Sequence, residues 1–284
     1  MGILDNRVAV ITGSSHGLGL AMAELYAKEG AAVVLAARTR GAIEQAVIDL
    51  RAKGYRASGI ACDVGDLEQV RALADHAVST FGKLDLWVNN AGVAGVYGPT
   101  AHIPVDRFER VLYTNIFGTY YGSTVALGHF LRQRSGKLIN LLGRGDDGPV
   151  RFQNAYASSK TWVKSFTLAL AQEYQDSGVG IYAFNPGLVD TDLLRQIDAL
   201  PGYETKLKPL STVIRLWANP PEVPAQKALW LASSATDGKT GLVLTMLSRR
   251  RILIGLLRDL KRRFTHTPMP DISLKITSIP PTLM

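Results

Sequence analysis

Cysteine is almost missing from this 284-residue chain: Cys62 stands alone. That excludes an intramolecular disulfide framework and any multi-cysteine metal site. The five histidines are scattered, with no HxxxH or HxH spacing, so no zinc site and no other metal is expected. No apolar run approaches the ~20 residues needed to cross a bilayer. The start, Met1-Gly2-Ile3-Leu4-Asp5-Asn6-Arg7, lacks the basic, apolar and small-residue regions of a signal peptide. Charged residues make up only 20% and hydrophobic residues 46%, a globular balance that excludes a disordered or collagen-like chain. The expectation is a soluble protein of the cytoplasm.

The net charge of +8 raises the question of nucleic acid, but its distribution argues against it. Residues 246–284 hold eight Lys/Arg and two Asp/Glu, so the first 245 carry only +2. A basic tail, rather than a basic nucleic-acid-binding domain, sets the charge.

Short apolar runs alternate with stretches of helical periodicity. Strands are predicted at Arg7–Ile11, Ala32–Ala37, Ala57–Cys62, Leu84–Val88, Lys137–Leu142, Val179–Asn185 and Leu242–Leu244. Helices are predicted at Leu18–Gly30, Ala42–Lys53, Leu67–Phe81 with Asp66 as N-cap, Asp106–Arg134, Phe152–Gln175 and Pro224–Ala232. This alternation calls for an α/β fold with a parallel sheet covered on both faces. No composition break divides residues 1–245, which read as one domain, and 246–284 read as a basic extension.

Two patterns suggest chemistry. Thr12-Gly13-Ser14-Ser15-His16-Gly17-Leu18-Gly19 lies between a predicted strand and a predicted helix. Glycines there permit a tight turn and close approach to a pyrophosphate, which a helix N-terminus attracts. Tyr156 and Lys160 stand four apart on a predicted helix and share one face. An ammonium beside a phenol favours the phenolate and lowers its pKa. Taken alone, such a pair is more often an ordinary surface pair.

Together with Asn89-Asn90-Ala91-Gly92, Thr114-Asn115-Ile116 and Pro186-Gly187, these motifs resemble the classical short-chain dehydrogenase/reductase family. The resemblance covers roughly residues 5–245. It implies a Rossmann-type, doubly wound, seven-stranded parallel sheet and a nicotinamide-dependent oxidoreductase that interconverts a carbonyl and an alcohol. It assigns Tyr156 as general acid or base. Lys160 is assigned to the nicotinamide ribose and to depressing the Tyr156 pKa, and Asn115 to the water linking Lys160 to a proton relay. The implied cofactor pocket begins with Thr12, Gly13, Ser15, His16, Gly17, Leu18 and Gly19 around the phosphates. Asp63 and Val64 stand at the adenine, where Asp63 reads alternatively as a turn cap. Asn89, Ala91 and Gly92 form a wall, or act structurally, and Pro186, Gly187, Val189 and Thr191 lie near the carboxamide. A homo-oligomer, dimer or tetramer, built on the helices at 106–134 and 152–175 is also implied.

The second predicted strand ends Leu35-Ala36-Ala37-Arg38. An NAD enzyme usually places an acid here for the ribose 2′-hydroxyl. Arg38 instead suits a 2′-phosphate, and His16 occupies a place where NADP-preferring relatives often carry a basic residue. NADP(H) is therefore expected over NAD(H), with NAD(H) use still open.

One position departs from the family. Its catalytic serine stands about thirteen residues before the tyrosine, and here that place is Gly143, in Ile139-Asn140-Leu141-Leu142-Gly143. Candidate replacements for the hydroxyl are Arg144, Gln153, a water, or the substrate itself. The competing reading is a nucleotide-binding member with little catalysis, acting as a regulatory or structural partner. If Gly143 sits at positive φ, a side chain there is strained. Otherwise a serine should restore turnover of small carbonyls.

Residues 190–221, with apolar Leu193, Leu194, Tyr203, Leu210, Ile214, Leu216 and Trp217, are expected to form a lid over a substrate. In the tail, Arg249–Arg251 and Lys261–Arg263 flank the apolar residues 252–257. This reads first as a helix packed on its own or a neighbouring subunit. Contact with an anionic membrane surface is a lesser alternative.

Overall fold

Alternate residues of the strand Val8–Thr12 (β1) face opposite helix layers. Ala9 and Ile11 pack into one buried cluster, Val8 and Val10 into the other. The same division holds along Ala32–Ala37 (β2), where Val33 and Leu35 face one layer and Val34 and Ala36 the other. Burial on both faces is why these strands read as unbroken apolar runs rather than alternating ones. In the computed structural model, which describes residues 2–246 and 272–282, five more strands complete a parallel sheet. They are Ala57–Ala61 (β3), Leu86–Asn89 (β4), Gly136–Leu141 (β6), Val179–Asn185 (β7) and Leu242–Thr245 (β9), with β5, β8 and β10 belonging to a second sheet described below. The order is β3-β2-β1-β4-β6-β7-β9. The chain reverses its direction of travel between β1 and β4, so a crevice opens beyond their carboxyl ends.

Helices Gly17–Lys28 (α1), Arg40–Ala52 (α2) and Glu222–Ala232 (α9) cover one face through Met22, Tyr26, Ile43, Leu50 and Leu229. Leu67–Phe81 (α3), Gly118–Gln133 (α5) and Asn154–Glu173 (α6) cover the other through Leu73, Phe130 and Leu170. Asp66 caps α3 as expected, its carboxylate accepting from the backbone N–H of Glu68 and Gln69. The helix expected over 106–134 is interrupted. Val105–Val111 (α4) passes into a π-helical segment, Leu112–Phe117, before α5 begins. Such wide turns are common at functional sites, and Asn115 lies in this one.

The second sheet was not anticipated. Val96–Tyr97 (β5), Gln196–Ala199 (β8) and Lys275–Ser278 (β10) pair in parallel, with β8 in the middle. Around β8 the expected lid region contains Asp192–Arg195 (α7), Pro209–Trp217 (α8) and a short 3-10 turn at Glu204–Leu207. A small core of Val96, Ile103 and Leu200, joined by Phe108, Tyr203 and Ile279, lies beneath these strands. The backbone N–H of Ile279 donates to Ala199 and that of Thr282 to His102. Residues 275–282 are thus bound to β8 and to His102. Both basic clusters of the tail, and the helix or membrane contact expected of them, lie outside the described residues.

Candidate active site

The glycine-rich turn joins β1 to α1, and its backbone explains its composition. Gly13 has φ +63°, and a Cβ there would stand 2.7 Å from the Ala91 Cα; a Cβ at Gly19 would overlap the Gly13 carbonyl. Thr12 donates to the Val88 carbonyl and accepts from the N–H of Asn90 and Ala91, and the Asn90 amide donates to the Thr12 and Gly13 carbonyls. These bonds hold the turn against the end of β4. Asn90 was legible only as part of its motif and is the residue that fixes this junction.

No side chain caps the N-terminus of α1; His16 bonds instead to Ser15, 2.9 Å away. The first-turn N–H groups, with the positive end of the helix dipole, therefore face the crevice. Ser14 ties the turn to β2 through both its N–H and its hydroxyl. Arg38 follows β2, exposed and without an ion pair among the described residues, while Ala37 leaves no acid beside it. This cradle fits a dinucleotide: two glycine positions that a Cβ would fill, an uncapped helix start and a free guanidinium at the ribose end. Leu18 packs into the core beneath the turn. The Thr191 methyl lies 3.2 Å from where a Gly17 Cβ would stand, bringing the segment after β7 to the glycine-rich turn. Gly187 has φ +71° after Pro186, and Val189 bridges to Asn219.

Several expected residues have structural work in this chain. Asn89 is buried, accepting from Trp87 and donating to Ser123 and Asn140 (2.7, 3.1 and 2.8 Å). It locks β4 to α5 and β6 rather than lining the crevice. Asp63 accepts from the Gly65 N–H at 2.9 Å, the geometry of a turn cap, and buried Val64 packs against Gly118. Asn115 is fully buried; its amide pairs with both backbone groups of Val93 and donates to Ser159.

Tyr156 and Lys160 share the inner face of α6. The Lys160 Nζ donates to the Leu141 carbonyl at 2.9 Å and lies 5.7 Å from the Tyr156 ring centroid. A Cβ at Gly92 would stand 3.5 Å from the Asn115 Oδ1 and 3.8 Å from the Lys160 Nζ. Tyr156, Lys160, Asn115 and Gly92 therefore converge at one end of the sheet.

The electrostatics correct one expectation. Lys160 does not depress the Tyr156 phenol: burial, with the Asp146 charge adding, pushes its pKa up to about 12. Burial brings Lys160 itself down to about 8, opposed by Asp146. Desolvation is the leading cause of both shifts, at the buried Lys160 and the half-buried Tyr156.

Gly143 requires a second correction. Its φ is not positive, so backbone strain is not the obstacle to a side chain. The obstacle is Tyr156, whose hydroxyl occupies the space a Cβ at 143 would need. A serine there requires the phenol end of Tyr156 to shift. Of the suggested replacements, Arg144 is exposed, whereas the Oε1 of Gln153 is buried without a partner.

Two further features escaped the sequence. Asp146 is only 8% exposed; its N–H donates to the Gly143 carbonyl, and its Oδ2 accepts from Asn185 at 3.0 Å. Asn185 also accepts from the Gly187 N–H, clamping the loop after β6 to the turn after β7. A run of rings, Tyr97–Phe152–Tyr203, joins β5 to the lid at centroid distances of 5.6 and 5.1 Å. Phe152 has φ +67°, uncommon for a bulky residue. Neither a lone acid nor a lone aromatic residue carries a spacing signal.

A family profile described as short chain dehydrogenase matches residues 7–201. The uncharacterised oxidoreductase YxnA of Bacillus subtilis is 39% identical over 66% of this chain, which covers 53% of that protein. The 3β-hydroxysteroid dehydrogenase 1 of Eggerthella lenta is 36% identical over 85% of this chain and 92% of its own length. Among solved structures, an actinorhodin polyketide ketoreductase variant with NADPH superposes with a TM-score of 0.77 at 27% identity, over 87% of this chain and 97% of that one. A 3-ketoacyl-(acyl-carrier-protein) reductase from Brucella melitensis with NADH gives 0.78 at 29%, over 88% and 100%.

Proposed function

The chain belongs to the short-chain dehydrogenase/reductase family, and from that premise we propose that it reduces a carbonyl to an alcohol with NADP(H), Tyr156 giving the proton. The observation that carries this reading is the convergence of Tyr156, Lys160, Asn115 and Gly92 beyond the sheet, beside an uncapped helix start and Arg38. Nicotinamide use is supported by relatives holding NADPH and NADH. Preference for the phosphorylated form rests on Arg38 and the absence of an acid at 37. When bound, the nicotinamide supplies the hydride.

In this reading the glycine turn and Arg38 bind the phosphates, and Lys160 holds the ribose. Tyr156 donates its proton to the oxygen as negative charge develops there. A phenol whose pKa is pushed up to about 12 stays protonated at neutral pH and so holds the proton that reduction consumes. The lid, with the Tyr97–Phe152–Tyr203 wall, excludes water from the reacting carbon. We also propose a homo-oligomer in the cytoplasm, assembled through α5 and α6. Tyr113, Phe117 and Tyr120 are 53%, 39% and 44% exposed on that face, and Tyr120 meets Phe166 edge-on. A panel of carbonyls and alcohols, assayed by nicotinamide absorbance with each cofactor, tests the proposal. Absence of turnover across the panel favours the nucleotide-binding reading, for which the missing hydroxyl at Gly143 is the specific observation.

A further inference from the structure

Asp146 is a buried acid with no ion pair among the described residues. Its Oδ2 accepts from the Asn185 amide. The Lys160 ammonium donates to the Leu141 carbonyl and makes no ion pair with this carboxylate, though the two charges act on each other, and Lys164 pairs with Asp147. Buried carboxylates are ordinarily paired, because leaving water without a counter-charge is costly. One turn before Tyr156, the Oε1 of Gln153 is a second buried acceptor with nothing donated to it. A carboxylate with no ion pair among the described residues and an amide oxygen with no donor thus lie on either side of Tyr156, in the loop after β6 and at the start of α6. On the same side the donor hydroxyl that the family pattern calls for is absent, and Gly143 offers no side chain.

We propose that Asp146 is a specificity residue for a substrate carrying a protonated amine beside the reacting carbonyl, an α-amino ketone reduced to a vicinal amino alcohol. The inference rests on the carbonyl-reductase reading above and supplies what that reading lacks. The ammonium pairs with the Asp146 carboxylate. One of its N–H groups also points at the adjacent carbonyl oxygen and takes the place of the missing hydroxyl donor. As hydride from the reduced nicotinamide reaches the carbonyl carbon, the C=O π pair moves onto oxygen. Tyr156 then protonates that oxygen and recovers its own proton from solvent by way of Lys160. The ammonium keeps all its protons, so the step consumes one hydride and one proton. The charge that weakens Tyr156 as an acid is itself neutralised, since a cation beside Asp146 opposes the effect of its carboxylate on the phenol. A charge-assisted hydrogen bond in an enclosed site is roughly twice as strong as a neutral one.

Two matched ketones test this: 2-amino-1-phenylethanone and its carbon isostere propiophenone, with the corresponding amino alcohol as a binding probe. The wild type is expected to show kcat/KM at least tenfold higher for the amino ketone. By calorimetry it should bind the amino alcohol at least tenfold more tightly than 1-phenylpropan-1-ol. Asp146→Asn, which keeps the size and the bond to Asn185 on one oxygen, should erase both ratios; the wild-type ratios decide the matter should this variant fail to fold. Equal kcat/KM for the two ketones overturns the inference and leaves carbonyl reduction standing. Binding of the amino alcohol that depends on Asp146, with neither ketone reduced, keeps the cation site and overturns the reductase reading. Absence of both preference and reduction overturns the two together.

Discussion

The hydroxyl of Tyr156 rests against the Cα of Gly143, in the space that a Cβ at that position would fill. A family position usually held by a small polar side chain is here given over to the phenol. Gly143→Ser and Gly143→Ala should therefore both push the ring away from Lys160. Because a misplacement near 1 Å can cost up to ~10²-fold, turnover should fall at least tenfold in each. Steady-state kinetics, with a crystal structure of the serine variant, checks this. A serine variant faster than wild type, its ring unmoved, contradicts it.

Tyr156→Phe removes the transferable proton and keeps the ring. Turnover should drop by ~10²–10⁴, the usual worth of general acid catalysis, while cofactor affinity stays within a factor of about two. A variant retaining more than a tenth of the rate means that the proton comes from another group.

Lys160 gives the pH dependence. Burial brings its pKa down from 10.5 to about 8, so its charge, and the ribose contact and proton path that need it, fade as pH rises through about 8. Reduction should decline across that interval, although Tyr156 remains protonated. The stability sign is opposite. Between about pH 8 and 10.5 the unfolded chain binds the proton and the folded one does not, so the contribution to stability rises with pH. Lys160→Met should raise the melting temperature at pH 7, since it removes a charge-burial cost on the order of 3 kcal/mol, while abolishing turnover. A profile flat to pH 10 argues against this role.

Arg38 stands exposed at the end of β2 with no acid at 37. NADP(H) should bind at least tenfold more tightly than NAD(H), a difference of ~1.4 kcal/mol, and Arg38→Ala should remove most of it. Calorimetric titration showing equal affinities defeats the assignment.

Truncation after Met246 removes β10 and the Ile279 contact beneath the lid. Cofactor affinity should change by less than about threefold, because the dinucleotide cradle ends at Thr191. The segment 196–207 should become protease-sensitive and KM for the substrate should rise. Lost cofactor binding with an unchanged lid would reverse this division of labour.

The main sheet was readable because its strands are buried on both faces and its helices carry local signals. The Val179–Asn185 strand and the Leu67–Phe81 helix match the sequence reading to the residue. The glycine turn was readable for a similar reason, since Gly13 and Gly19 answer to nearby backbone. What escaped was non-local. The pairing of β8 with β10 joins segments almost eighty residues apart, each only four residues long. The π-helical turn at Asn115 leaves apolar spacing nearly unchanged. The shifts of Tyr156 and Lys160 depend on burial and on Asp146, an acid ten residues from the tyrosine in sequence and visible as its neighbour only after folding.

β10 also sets an order of events during synthesis. By the time Thr245 has left the ribosome, every strand of the large sheet is available, and the dinucleotide cradle can assemble. The outer strand of the small sheet is made some thirty residues later, and contacts between segments so far apart in sequence form slowly compared with local folding. A nascent chain thus passes through an interval in which it can hold a cofactor but has no finished cover for a substrate. Nicotinamide present at that stage would stabilise the half-built protein by mass action, so cofactor supply in the cell bears on how much of the chain reaches its finished form.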